Sequence, residues 1–293
     1  GLYDETNAET AANIEKLTDA AEEMGRTTRY SASEAASALN YLALAGYDAE
    51  QAIEALPTVL TLAQAGGMDL AYASDLVTDS MSALGLSMDQ LGTFADQLSV
   101  TSQKSNTNIS QLGQAILTVG ATAANLKGGT AELNAELGIL ADNGIKGAEG
   151  GTHLRNVILA LTQPTEAGAA AIRKYTDGVY DAEGNMRSLD AVLGELKESL
   201  DSMTQEGRMS VINDIFNKTD LAAAQTLIEG AGERFGELTG YINESTGAAE
   251  AMADVMEGGL GGSFRNLKSA AEGAMTAIGG ELSPIVQDAA DVV

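Results

Sequence analysis

Few residues in this chain are equipped for chemistry. His153 is the single histidine among 293 residues, so neither a multi-histidine metal site nor a histidine dyad can form. It stands beside Leu154 and Arg155 at an expected helix start, a place that suits a corner or surface role better than catalysis. Cysteine is absent. That removes disulfides, thiolate metal ligands and cysteine nucleophiles, and it leaves the compartment open. No Gly-x-x-x-x-Gly-Lys-Ser/Thr loop is present to cradle a phosphate. No serine and acid are arranged around His153 in a way that suggests a triad. Asp181, Glu183 and Asn185 around Gly184 approach a calcium loop, but the full alternating ligand set and the distant glutamate are missing. Gly and Asn at those positions read as a plain turn. The sequence therefore nominates no catalytic, cofactor-binding or metal-ligating residue.

Charge excludes a further class. There are 42 acidic residues against 16 Lys and Arg, a formal net charge of −26. A protein that grips phosphates needs cations to displace counterions, so specific nucleic-acid binding is not expected. An acidic surface also repels anionic membranes. The acids are dispersed, as they are on the solvated faces of amphipathic helices. The longest apolar run, Val157 to Leu161, is far too short to span a bilayer. No signal peptide opens the chain, and its first residue is Gly rather than Met, which suggests a fragment.

The elements that must position these residues are helical. Aromatics make up 4% of the chain and Trp is absent, so the core must be built from Ala and Leu, which let helices approach closely. Gly occurs 33 times and Pro 3 times, so Gly supplies most of the breaks. An amphipathic helix is expected over about Asp4 to Met24. Capping boxes follow at Ser31 with Glu34, Asp48 with Gln51, and Ser87 with Gln90. The second and third each fall just after a glycine, Gly46 and Gly85. The interval between the two glycines equals that between Asp48 and Ser87, a weak internal repeat that fits stacked helical hairpins. Asn108 with Gln111 starts another helix, and Gly128-Gly129-Thr130 starts the next. Pro57 either kinks one helix or begins a new one.

The block Leu137 to Pro164 reads as a helix, a glycine corner and a second helix. Leu133, Leu137 and Leu140 recur at helical spacing, as do Leu154, Ile158 and Leu161. Gly144 is placed for a left-handed stop. Gly147, Gly150 and Gly151 tighten the joint, Thr152 is positioned to cap the next helix, and Pro164 ends it. Beyond it, Thr165 to Tyr175 is a short helix, and Gly178 to Arg187 carries strand-like ends around a Gly-Asn turn, predicting a small β-hairpin. Leu189, Val192, Leu193, Leu196 and Leu200 form a strong helical stripe. Met203 to Phe216 and Leu221 to Glu229 add two helices. Gly258, Gly259, Gly261 and Gly262 mark a flexible joint. The expected fold is all-α: an array of helical hairpins with glycine corners and one small β-hairpin near 178–188. The expected divisions are an N-terminal helix (1–30), a helical-hairpin repeat core (31–163), a helical region with the hairpin (164–230) and a glycine-punctuated helical tail (231–293).

The same block resembles the core region of phage tail tape-measure proteins. The resemblance runs from about Tyr30 to Pro284. It takes in Tyr30 to Ala36, Leu42 to Gly46, Leu60 to Gly66, the Ala83 to Leu86 corner, Leu112 to Gly120 with Ala123, Asp181 to Leu189, Ser245 to Ala249 and Leu282 to Ile285. The chain departs from the pattern at Ile215 to Asn217, where a glycine is expected soon after Phe216. The resemblance implies a structural tail protein that helps set tail length during assembly and is expelled during genome delivery. It supplies no shared catalytic residues to carry over, and with no acid–nucleophile pair in the sequence neither enzyme activity nor a cofactor is expected. It implies tail-tube, tail-tip and tail-chaperone proteins as partners, and a place in the virion tail lumen after assembly in the host cytoplasm. Self-association is expected from the small-residue core. Apart from the resemblance, the helices fit an alanine-rich protein-interaction module not tied to a phage tail. As one continuous helix the chain would reach about 440 Å at ~1.5 Å per residue. The glycine corners argue instead for a segmented array, with the main ruler elsewhere in a longer parent.

Overall fold

A computed structural model describes residues 2–258, with side chains from residue 9 onward. Most of the expected glycine joint at 258–262 and the exit at Leu282 to Ile285 lie outside the described residues. The described chain is all-α, with fourteen helices and no strands. It divides into two compact units, one built from 1–78 with 251 onward and the other from Asp79–Glu250.

The first unit begins with α1 (Leu2–Thr27), which turns through Thr28 to Ser31 and packs on α2 (Ala32–Leu44). The Ser31–Glu34 capping box forms in full: Ser31 Oγ accepts from Glu34 N, and the Glu34 carboxylate accepts from Ser31 N at 2.9 Å. The Asp48–Gln51 box opens α3 (Ala49–Gly66) in the same way. Pro57 sits inside α3 without ending it, its ring at an exposed position. Buried Gln64 donates from Nε2 to Ala253 O at 2.8 Å, tying α3 to the end of α14 (Ala248–Glu257). The boundary between units falls within α14 and within α4 (Leu70–Leu84).

The second unit is built around one enclosed helix. Its members are α5 (Leu91–Lys104), α6 (Ile109–Val119), α7 (Gly129–Asp142), α8 (Gly147–Thr162), α9 (Glu166–Tyr175), α10 (Leu189–Asp201), α11 (Gln205–Ile215), α12 (Leu221–Gly230) and α13 (Glu233–Asn243). Short 3-10 turns at Met88–Gln90 and Gly120–Asn125 precede α5 and follow α6. The third expected box also forms, with Ser87 N donating to Gln90 Oε1 at 3.0 Å, and it opens a single 3-10 turn that leads directly into α5. α7 packs against α5, α6, α8, α12 and α13, and ten consecutive residues, Glu132 to Ala141, are buried. A helix surrounded in this way has no solvent face, so amphipathic periodicity fades along it.

The corner after α7 forms as a Schellman motif. Ile145 N donates to Leu140 O and Gly144 N to Ala141 O, both at 3.0 Å, with Gly144 at φ +85°. The same pair of bonds closes α2 at Gly46 and α3 at Gly67. Two expectations need correction. Thr152 does not cap α8, because α8 starts at Gly147, and Thr152 Oγ1 instead donates back to Ala148 O within the helix at 2.9 Å. Nor do the glycines serve only the joint. A Cβ on Gly151 would stand 2.2 Å from the Ala115 carbonyl oxygen, so this glycine is where α8 crosses the α6 backbone directly.

The small β-hairpin expected near 178–188 is also corrected. Tyr180 and Met186 form one isolated antiparallel bridge, and no strand extends from it. The arms are too short to build a ladder. On one side α9 ends at Tyr175, and on the other α10 begins at Leu189, so the chain re-enters helix before a second bridge can form. A few backbone bonds close the reversal, among them Arg187 N to Val179 O at 2.8 Å, and Asp181 Oδ1 adds to them by accepting from Asn185 N at 2.8 Å and Glu183 N at 3.2 Å.

These contacts separate two kinds of helical glycine. Gly151→Ala forces a backbone shift at the α6–α8 crossing and is expected to cost about 1–3 kcal/mol or more, as overpacking does. Gly194→Ala, inside α10 with open space around the new methyl, is expected to stabilise by about 0.5–1 kcal/mol. Urea unfolding of both variants checks the contrast.

Candidate functional site

The polar groups with the most unusual surroundings lie along α7 and at the helix ends it meets. Glu132 is buried, 1% exposed. Its Oε2 accepts from Gly128 N at 2.8 Å, and its Oε1 accepts from Leu189 N at 2.6 Å and Ser188 Oγ at 2.9 Å. One carboxylate thus serves the start of its own helix and the start of α10, 57 residues away. Free N–H groups and the positive end of the helix dipole make such a terminus a natural place for an anion.

The same device recurs. Asp96 on α5 accepts from Gly247 N at 2.8 Å and Ala249 N at 2.9 Å, at the start of α14. Asp190 on α10 accepts from Gly232 N at 2.7 Å, at the start of α13. Lys197 complements the opposite pole, donating to Glu229 O at 2.7 Å and Ala231 O at 3.2 Å at the end of α12.

Glu136, one turn beyond Glu132, has a different environment. It is 1% exposed. Burial pushes its carboxyl well above the usual range, and the neighbouring carboxyl groups of Glu132 and Asp190 push it the same way.

His153 is brought together with a residue that the sequence did not single out. Its Nδ1 lies 2.7 Å from Asp220 Oδ1, and the same oxygen accepts from Asn156 Nδ2 at 3.0 Å. An ionised carboxylate only accepts, so it is Nδ1 that carries the proton. Asp220 is 2% exposed and stands at the N-cap position of α12. The His–Asp pair has the orientation half of a catalytic triad, but Nε2 faces the Glu149 carboxylate at 3.9 Å rather than a hydroxyl. The arrangement fastens α8 to α12.

The Asp181–Asn185 loop does not gather ligands. Asp181 spends one oxygen on the backbone of its own turn, and its other oxygen is 3.8 Å from Lys127 Nζ. Among the described residues no group of three His, Asp or Glu side chains is placed to hold a metal ion. Arg187 leaves the loop to pair with Glu195, which also accepts from Asp177 N at 2.9 Å. The Arg187 hydrogen bond holds the Glu195 carboxyl below its ordinary range, and burial opposes it.

Glu132 and Glu136 carried a readable signal. Both stand in a helix whose apolar residues, Ala135, Leu137, Ile139, Leu140 and Ala141, occupy every face. An acid embedded in such a run has no solvent side to point to. Asp220 carried none, because its partners are 64 and 67 residues away.

Two substitutions probe the acids. Glu132→Ala leaves two backbone N–H groups and a hydroxyl without their buried acceptor and is expected to destabilise by at least about 2 kcal/mol. Glu136 has a raised folded-state pKa, so its favourable contribution is complete below the ordinary carboxyl range and is lost as pH rises through the raised value. Glu136→Gln should therefore raise Tm at pH 8 and change it little at pH 4, and an equal Tm gain at both pH values would contradict the assignment.

Residues 18–217 match the family described as phage-related minor tail protein. The chain is 31% identical over 263 residues to the tape measure protein of Pneumococcus phage Dp-1, covering 90% of this chain and 23% of that protein. It is 28% identical over 272 residues to the probable tape measure protein of Escherichia phage P2, covering 92% of this chain and 33% of that one. The chain thus spans about a quarter to a third of the length of these curated relatives. No solved structure matches it.

Proposed function

We propose, from the premise that this chain belongs to the phage-related minor tail protein family, that it is the core segment of a tail tape-measure protein. The observation that carries the reading is likeness across nine-tenths of the chain to tape measure proteins of two phages. In this reading the segment helps set tail length during assembly and leaves the tail ahead of the genome. Its partners are the tail tube, tail-tip and tail-chaperone proteins and other copies of itself. It acts in the host cytoplasm during assembly and then in the tail lumen.

The physical character of the chain supports that role. A net charge of −26 keeps a lumen occupant from holding DNA back. Among the described residues no helix is long and apolar enough to cross a membrane. The proposed role is structural, in line with the tape measure proteins the chain resembles.

Tail length tests the proposal. In-frame deletion of Asp79–Glu250 from the parent gene removes a whole unit. If each residue contributes as an extended helix, those roughly 170 residues correspond to about 260 Å at ~1.5 Å each. Electron microscopy is expected to show shortened tails, with that value as the upper bound. Tails of unaltered length would remove the unit from the measuring part of the protein.

A further inference from the structure

The Asp181–Asn185 turn, the 3-10 turn after α6 and the second half of α8 enclose a cleft of about 770 Å³ within the second unit. That is within the range of small-ligand sites. Its floor is apolar, from Ile158 and Met186, and its wall is the ring of Tyr180, 49% exposed. The side-chain amides of Asn125, Gln163 and Asn185 line the same space. All three amides are solvent-exposed, and among the described residues no protein group hydrogen-bonds them or the Tyr180 hydroxyl.

The cleft is also held ready. Asp181 N donates to Asn185 O at 2.9 Å, Asn185 N donates to Asp181 Oδ1 at 2.8 Å, and Tyr180 pairs with Met186 across the loop. The backbone that carries Tyr180 and Asn185 is therefore fixed before anything binds, which lowers the ordering cost of binding.

The lining selects a ligand class. Each amide offers donors and an acceptor, so it suits groups that do both, as hydroxyls do. A wholly apolar ligand would displace water from the amides it covers without replacing those hydrogen bonds. An anion is disfavoured, because the one cation in the lining, Lys127, already lies 3.8 Å from Asp181 Oδ2. The exposed ring asks for a flat apolar face on the same molecule. A pyranose combines equatorial hydroxyls with a C–H face. We infer that this cleft binds a short neutral oligosaccharide, with Tyr180 stacking on one sugar and the three amides reading its hydroxyls.

The test is titration of the 293-residue chain with chitotetraose and with maltotetraose, followed by saturation-transfer NMR and calorimetry. The two arms distinguish N-acetylated from plain sugars. Saturable binding of at least one is expected, with Kd in the range of about 0.1–5 mM, a value typical of few contacts on an exposed site. Tyr180→Ala is expected to weaken it about tenfold or more, while Tyr180→Phe, which keeps the stacking face, stays within about threefold. Asn185→Ala should also weaken it. Because Tyr180 is half-exposed, thermal unfolding of these variants should match the parent, so loss of binding reports the site. No saturation with either sugar up to about 10 mM, or binding that Tyr180→Ala leaves intact, overturns the inference.

Discussion

Enclosure of α7 is the constraint on which the second unit depends. A helix with neighbours on every side cannot turn its acids to water, so a buried carboxyl there either finds partners inside or is pushed toward its neutral form. Glu132 takes the first course. It accepts from two backbone N–H groups and a hydroxyl at two separate helix starts. Glu136 takes the second, its carboxyl raised by burial and by Glu132 and Asp190. The pair is coupled by position: the carboxyl group that organises the α7–α10 junction is one of those that push its neighbour's carboxyl upward. The same charge logic extends outward through Asp190, which helps raise Glu136 and also closes the start of α13. Acids that look like dispersed surface charge in the sequence are, at these places, joints between helices.

The second constraint is close approach. With few aromatic residues, cohesion has to come from small side chains that bring helix axes together, since dispersion gains fall quickly with separation. The α6–α8 crossing at Gly151 and Ala115 is the clearest case, because there the helix backbones are in contact. Gly230 fits the same pattern, with a Cβ there reaching 2.6 Å from Ile139 on α7. Glycine in a helix is costly in isolation, and its presence at these points is explained by the contact it permits.

What was legible in the sequence follows from which interactions are local. The boxes at Ser31–Glu34 and Asp48–Gln51 and the stop at Gly144 depend on residues within one turn, and they formed where the pattern placed them. Of the α8 glycines, Gly147 and Gly150 serve the corner as their spacing suggests, whereas Gly151 marks a helix crossing that only the position of Ala115 reveals. The hairpin near 178–188 failed for a related reason. Gly-Asn predicts a reversal, which occurs, but a ladder needs arm length, and Leu189 begins a helix. Asp220, Asp96 and Asp190 were invisible as joints, because each caps or fastens a helix remote in sequence.

These local and remote interactions respond differently if the chain is drawn out inside a tube. Schellman corners and capping boxes bind residues a turn apart, so straightening one corner breaks a few local bonds and leaves each flanking helix intact. The α7 enclosure is collective. Opening it would expose Leu133, Leu137, Ile139 and Leu140 together, uncover Glu136 to water and leave the start of α10 without the carboxylate it borrows from Glu132. Extension of the second unit would therefore be cooperative, and its leucine faces would need new cover.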